Sequence, residues 1–176
     1  MRLDLEAAHD APFEWEESLE LEQGVLRQAG VRLLGEIDSR GTVFHSSPDY
    51  IVRGRLHYEQ RLQCTRCMER YDQEVESEFD LVAQVQGRGE PGDEIELEES
   101  DLDVVLLSEP SLETESLIVE QIELLLPMKP LCSDGCKGLC AGCGVDLNRE
   151  PCSCSGPADT RFSGLLALKQ RLEEGD

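Results

Sequence analysis

Six cysteines crowd into residues 132–154: Cys132, Cys136, Cys140, Cys143, Cys152 and Cys154, interleaved with Gly135, Gly138, Gly142 and Gly144. Paired thiolates at short spacing are metal ligands in a reducing compartment, and glycines between them let backbone amides turn toward the sulfurs. In Cys140-Ala-Gly-Cys143-Gly144 the two-residue gap lets both sulfurs point at one ion, and Cys152-Ser-Cys154 supplies two more ligands after an eight-residue loop. The other four cysteines, Cys64, Cys67, Cys132 and Cys136, make a second set. The expectation is therefore one or two structural Zn2+ ions, because a four-thiolate site is closed and has no open position for a catalytic water. Connectivity does not follow from spacing. The alternatives are that the ligands are shared out differently, with some cysteines free, or that the thiols are buried or redox-active without metal.

Other chemistry finds little support. The chain has no Gly-x-Ser-x-Gly elbow, phosphate loop or His-Glu-x-x-His. His9, His45 and His57 are isolated in sequence, and Asp101 and Asp103 sit in a dense acidic run that reads better as a solvated loop than as a magnesium site. A thioredoxin-like role for Cys64 and Cys67 would want that pair to open a helix in a βαβ unit, whereas here it joins two strand-like runs. The expectation is a binding protein with no catalytic residues and no small-molecule substrate.

The elements that must carry the cysteines are mostly β. Tyr50, Val52, Leu56, Tyr58, Leu62 and Cys64 share one parity and Arg53, Arg55, Glu59 and Arg61 the other, the pattern of a half-buried strand. Val75, Phe79, Leu81, Ala83 and Val85 alternate with acids in a second run, so a long antiparallel hairpin is predicted with Cys64-Thr-Arg-Cys67 at its tip. Residues 1–22 suggest an edge strand leading into an acidic loop. Val31–Ile37 is a short β run, with a turn signal at Ser39-Arg40-Gly41, and Val104–Leu107 is a further short strand. From Thr114, read as an N-cap, Leu117, Ile118, Gln121, Ile122, Leu124 and Leu125 repeat at helical spacing until Pro127. A last amphipathic helix starting near Asp159 or Thr160 would bury Phe162, Leu165, Leu166 and Leu172.

The predicted fold class is α+β: a small antiparallel β-core with two packing helices and a C-terminal Cys-rich zinc knuckle. The expected division is an acidic β-rich core with helix over 1–126, the knuckle over 127–156, and a C-terminal helix over 157–176 packing on the core.

Charge bounds the partners. The formal net charge is -22, and residues 73–126 hold seventeen acids against one base. Such a field repels free nucleic acid at long range, so any RNA contact must be local or made through a partner. The first dozen residues contain no apolar stretch of signal-peptide type, and no apolar run approaches membrane-spanning length. A cytoplasmic protein without membrane contact is expected.

Three segments together resemble the YceD family, the large ribosomal RNA subunit accumulation proteins: Cys64-Thr-Arg-Cys67-Met68 after a strand; Glu120-Gln121-Ile122-Glu123-Leu124 running into Leu126-Pro127-Met128-Lys129-Pro130; and Cys136-Lys-Gly-Leu-Cys140-Ala-Gly-Cys143-Gly144-Val-Asp-Leu-Asn148. Asp159-Thr-Arg161 is also similar, and the likeness covers roughly residues 30–172. The resemblance implies a bacterial ribosome biogenesis factor supporting synthesis, processing or accumulation of large-subunit (23S) ribosomal RNA, whose partner is that RNA or a precursor particle. Under this reading the candidate RNA-contacting residues are Arg53, Arg55, Arg61, Arg66 and Arg70 on the hairpin and Lys129, Lys137 and Arg149 near the knuckle. The competing reading is an acidic adaptor or holdase for a basic ribosomal protein, in which the arginines only neutralise the sheet's own acids.

Overall fold

A computed structural model describes residues 1–28, 30–85 and 104–154. These form seven strands and one α-helix: β1 (Arg2–Asp4), a 3-10 turn (Leu5–His9), β2 (Phe13–Leu19), β3 (Arg32–Ser46), β4 (Asp49–Gln63), β5 (Arg70–Val85), β6 (Val104–Leu107), β7 (Ser111–Glu113) and α1 (Thr114–Leu125). The described chain is thus mostly β-sheet with one helix. The helix expected from Asp159 or Thr160 lies outside the described residues.

Five strands make one sheet in the order β2-β3-β4-β5-β6, antiparallel except for the β5–β6 pair, and β1 pairs with β7 apart from it. The chain divides into two compact units, one of Met1–Gln63 with Arg70–Pro130, the other of Cys64–Glu69 with the segment that begins at Leu131.

In the first unit the period of two decides which face each side chain takes. Along β4, Tyr50, Val52, Leu56, Tyr58, Gln60 and Leu62 are buried, while Arg53, Arg55, His57 and Arg61 face β5's acids across the outer surface. Arg53 Nε lies 3.3 Å from Asp80, His57 Nε2 2.8 Å from Glu74, and Arg61 makes a two-pronged contact with Asp72 at 2.5 and 2.6 Å. Arg55 pairs with Glu78, and its other arm reaches Glu76 at 3.5 Å. The inner face is covered in two patches: Leu3, Leu5, Leu112 and Leu117 meet Trp15, Val43 and Val52, and Ile118 and Ile122 of α1 meet Ile37, Leu56 and Tyr58.

Several expectations need correction. Ser39-Arg40-Gly41 is no turn; it runs through the middle of β3 opposite Leu56, Arg55 and Gly54. The glycine is there for close approach: a Cβ on Gly41 would lie 2.3 Å from the Arg53 carbonyl oxygen and 2.9 Å from Trp15 Nε1, and one on Gly54 would lie 2.2 Å from the Phe79 ring. The reversal comes instead at Ser47-Pro48. Thr114 is the first helical residue and not the cap; Glu113 holds the cap position without a side-chain bond, and the Thr114 hydroxyl is taken by the Met1 carbonyl and Glu17. Leu124 fits the helical repeat yet is 72% exposed, because the buried stripe of α1 ends at Ile122.

Candidate metal centres

The second unit is organised around thiols. Cys64–Glu69 is the reversal between β4 and β5, closed by Cys64 N–H donating to the Glu69 carbonyl at 2.8 Å and Met68 N–H to the Cys64 carbonyl at 2.9 Å. Met68 takes the left-handed conformation at φ 62° that lets so tight a turn close. Cys64 and Cys67 emerge side by side from it and meet Cys132 and Cys136, with sulfurs 3.8 Å apart for Cys64 and Cys136 and 3.6 Å for Cys67 and Cys132. Arg66 ties the two segments by donating to the Cys136 carbonyl at 2.8 Å.

The outer set stands on a small ladder. Cys140 N–H donates to the Val145 carbonyl, Gly144 N–H to that of Cys140 and Leu147 N–H to that of Gly138, at 2.8, 2.8 and 2.9 Å. Gly144 needs its missing Cβ here, since its φ is 76°. Cys143 and Cys140 each lie 3.4 Å from Cys152, sulfur to sulfur, and backbone N–H groups of Gly142 and Cys154 reach the Cys140 and Cys152 sulfurs at 3.4 and 3.2 Å.

The structure therefore brings the eight cysteines into two fours, Cys64, Cys67, Cys132 and Cys136, and Cys140, Cys143, Cys152 and Cys154, the sulfurs of each lying within 4.8 Å of one another. All eight are free thiols, without a disulfide among them. Sulfurs at the corners of a tetrahedron around an ion with metal–sulfur bonds of about 2.3 Å stand about 3.8 Å apart, whereas a disulfide would bring two to about 2.05 Å. The observed separations fit the first case, so each four could hold a metal ion.

Electrostatics point the same way. Burial raises the Cys64 thiol, but hydrogen bonds from the backbones of Cys67, Cys132 and Arg66 outweigh it and bring the group down to about 6. Backbone bonds from Cys143 and Gly142, with help from the Cys152 and Cys143 thiols, bring Cys140 down to about 6 as well. Each four thus has one thiol that ionises readily. The contacts of Cys154 with Cys152 and Cys143, together with the Cys143 charge, push it up to about 12. Four thiolates could gather in so small a space only around a cation.

The candidate RNA-contacting cations are distributed unevenly. Arg53, Arg55 and Arg61 are engaged with the acids of β5. Arg149 pairs with Glu69 and lies 3.5 Å from Asp146, and Arg66 faces the carbonyls of Asp134 and Cys136. Among the described residues Arg70, Lys129 and Lys137 carry no ion pair. One residue of evident importance escaped sequence reasoning: Asn148, whose side chain reaches the Cys136 sulfur at 3.4 Å. Its one signal is its place at the end of the Cys136–Asn148 motif.

A β-sheet protein carrying two four-cysteine clusters is the class that this fold and these sites define. Residues 52–169 match the family model described as large ribosomal RNA subunit accumulation protein YceD, and the chain belongs to that family. Curated relatives include uncharacterized proteins of Mycobacterium bovis and of Mycobacterium tuberculosis, each 34% identical over 58 residues, which cover 33% of this chain. The match spans only 28% of the length of those relatives. No solved structure matches the chain. Among the described residues no helix is long and apolar enough to cross a membrane.

Proposed function

We propose that the protein is a ribosome biogenesis factor that supports the synthesis, processing or accumulation of large-subunit ribosomal RNA and acts by binding, its binding surface held in shape by two structural zinc ions. The observation that carries the structural role is the pairing of the eight thiols into two closed fours. With four thiolates around each ion no coordination position is left for substrate or water, which favours scaffolding over catalysis. Zinc is the soft, redox-inert ion that such a donor set selects. Its binding contributes on the order of 10 kcal/mol to folding at neutral pH, enough to order a loop segment with little core of its own. The family to which the chain belongs supports the ribosomal setting.

For direct RNA contact, the candidate cations without an ion pair among the described residues are Arg70, Lys129 and Lys137, with Arg66 and Arg149 beside the thiol clusters. Arg53, Arg55 and Arg61 serve the sheet, because a phosphate would have to compete with carboxylates already in contact. That same observation favours the second reading. With Arg53, Arg55 and Arg61 neutralised by the acids of β5, that face of the hairpin adds little positive field to a chain of net charge -22, and an acidic surface suits a basic ribosomal protein, drawn in by long-range attraction that weakens with salt.

A pull-down of the tagged protein at low and moderate salt, with and without ribonuclease, separates the two. Large-subunit RNA that is retained at moderate salt and crosslinks to the segment around Arg66 and Lys137 supports direct contact. A basic ribosomal protein retained after ribonuclease supports the adaptor. Recovery of neither contradicts the proposal.

A further inference from the structure

Asn148 is positioned as no ordinary loop residue is. Its Oδ1 accepts the Lys137 N–H at 2.7 Å, and its Nδ2 donates to Asp146 Oδ1 at 2.7 Å and to the Cys136 sulfur at 3.4 Å. These partners fix which end of the amide is which. A backbone N–H can only donate and a carboxylate can only accept, so turning the amide over would set donor against donor and acceptor against acceptor. The group facing Cys136 is therefore an N–H.

Asn148 also belongs to the outer ladder. Leu139 bridges Asp146, Cys140 pairs with Val145 and Leu147 with Gly138. Asp146 then accepts the Asn148 backbone N–H at 2.9 Å and is braced by Arg149 at 3.5 Å. The loop that presents Cys140 and Cys143 to the outer four thus delivers an amide to a sulfur of the inner four.

We infer that Asn148 is a positioning residue that stabilises Cys136 as a metal-bound thiolate and couples the two metal centres. A cluster of four thiolates around a divalent ion keeps an excess negative charge on sulfur, and an N–H aimed at one sulfur offsets it and lowers that sulfur's basicity. When the outer four closes on its ion, residues 140–148 are held in the ladder and Asn148 is held against Cys136, so loading the outer centre raises the affinity of the inner one. Linkage makes the effect reciprocal. The inference rests on the proposal that both fours bind metal.

The test is a cobalt titration of the reduced, metal-free full-length chain in competition with a chelator, reading the sulfur-to-cobalt charge-transfer and ligand-field bands. The wild-type chain should take two cobalt ions. In Asn148→Ala the inner ion should bind about 10- to 100-fold more weakly, and its charge-transfer band should move to lower energy as the sulfur loses its hydrogen bond. Asn148→Asp keeps the size and the Lys137 contact but has no N–H for Cys136, so it should show the same band shift even if the alanine variant loosens the loop. In a Cys143→Ser/Cys154→Ser background, where the outer centre is disabled, Asn148→Ala should add less than about threefold further weakening. Wild-type affinity and band position in both Asn148 variants would overturn the coupling alone. Weaker binding with an unmoved band would also overturn it, by assigning Asn148 to loop folding only. A wild-type chain that takes no cobalt would overturn the metal proposal itself.

Discussion

At the scale of single residues the two clusters are not equivalent. Cys64 and Cys136 are 0% and 3% exposed, while Cys143 and Cys154 face solvent. Cys143→Ser should therefore remove one equivalent of zinc and open residues 131–154 to protease while the sheet keeps its Trp15 emission, as metal analysis and limited proteolysis on the same sample will show. Cys64→Ser should be worse for stability, because it leaves a buried hydroxyl where a thiolate was held by backbone N–H groups. His57 makes a prediction of a different sign. Its hydrogen bond to Glu74 raises its pKa, desolvation opposes the rise, and the charges of Glu74, Asp38 and Glu76 add to it. A raised folded-state pKa means stability that is present in full below the ordinary histidine value of about 6.5 and lost as pH climbs through the folded value. The urea midpoint of the native chain should thus fall relative to that of His57→Gln from pH 6 to pH 9. A difference that is constant with pH would refute the contribution.

At the scale of elements, the sheet is built around one tight crossing. Gly41 and Gly54 face each other across β3 and β4, with Trp15 over one and the Phe79 ring over the other. Gly41→Ala should cost about 1–3 kcal/mol, since the nearest atom to the new methyl is a backbone oxygen that cannot swing away. A two-state urea denaturation with unchanged slope is the measurement. This crossing also shows where reading the sequence fails. Glycine after Ser39-Arg40 is a sound turn signal from local chemistry, but the demand for a residue without a side chain comes from Trp15 and from a carbonyl on another strand, which local sequence does not contain. Thr114 is a similar case. Its hydroxyl is a good cap in isolation, and the Met1 carbonyl and Glu17 claimed it. By contrast the alternation in β4 and β5 is legible because β4 buries one face along its length and β5 half-buries the matching face at Val75 and Phe79 before burying it at Leu81 and Ala83, so the same message repeats at every second residue.

At the scale of the whole molecule, the cysteine sets were legible because metal ligation imposes short spacings that survive without tertiary context, as in Cys140–Cys143 and Cys152–Cys154. The meeting of Cys64 and Cys67 with Cys132 and Cys136 follows from no local spacing, and the contacts that make it physical, such as Arg66 on the Cys136 carbonyl and Asn148 on its sulfur, leave no trace in composition. Under the zinc proposal metal orders the second unit, while the first unit carries both apolar patches described above. Chelation under reducing conditions should therefore abolish amide protection across residues 131–154 and 64–69 while that of β3 and β4 persists, read by hydrogen exchange. The most direct measurement is zinc content with X-ray absorption on protein purified without added metal. Two zinc ions per chain, each with four sulfurs at about 2.3 Å, is the result expected. Less than one zinc per chain in fully reduced protein, or nitrogen or oxygen bound to the metal, would rule out two structural four-thiolate zinc sites.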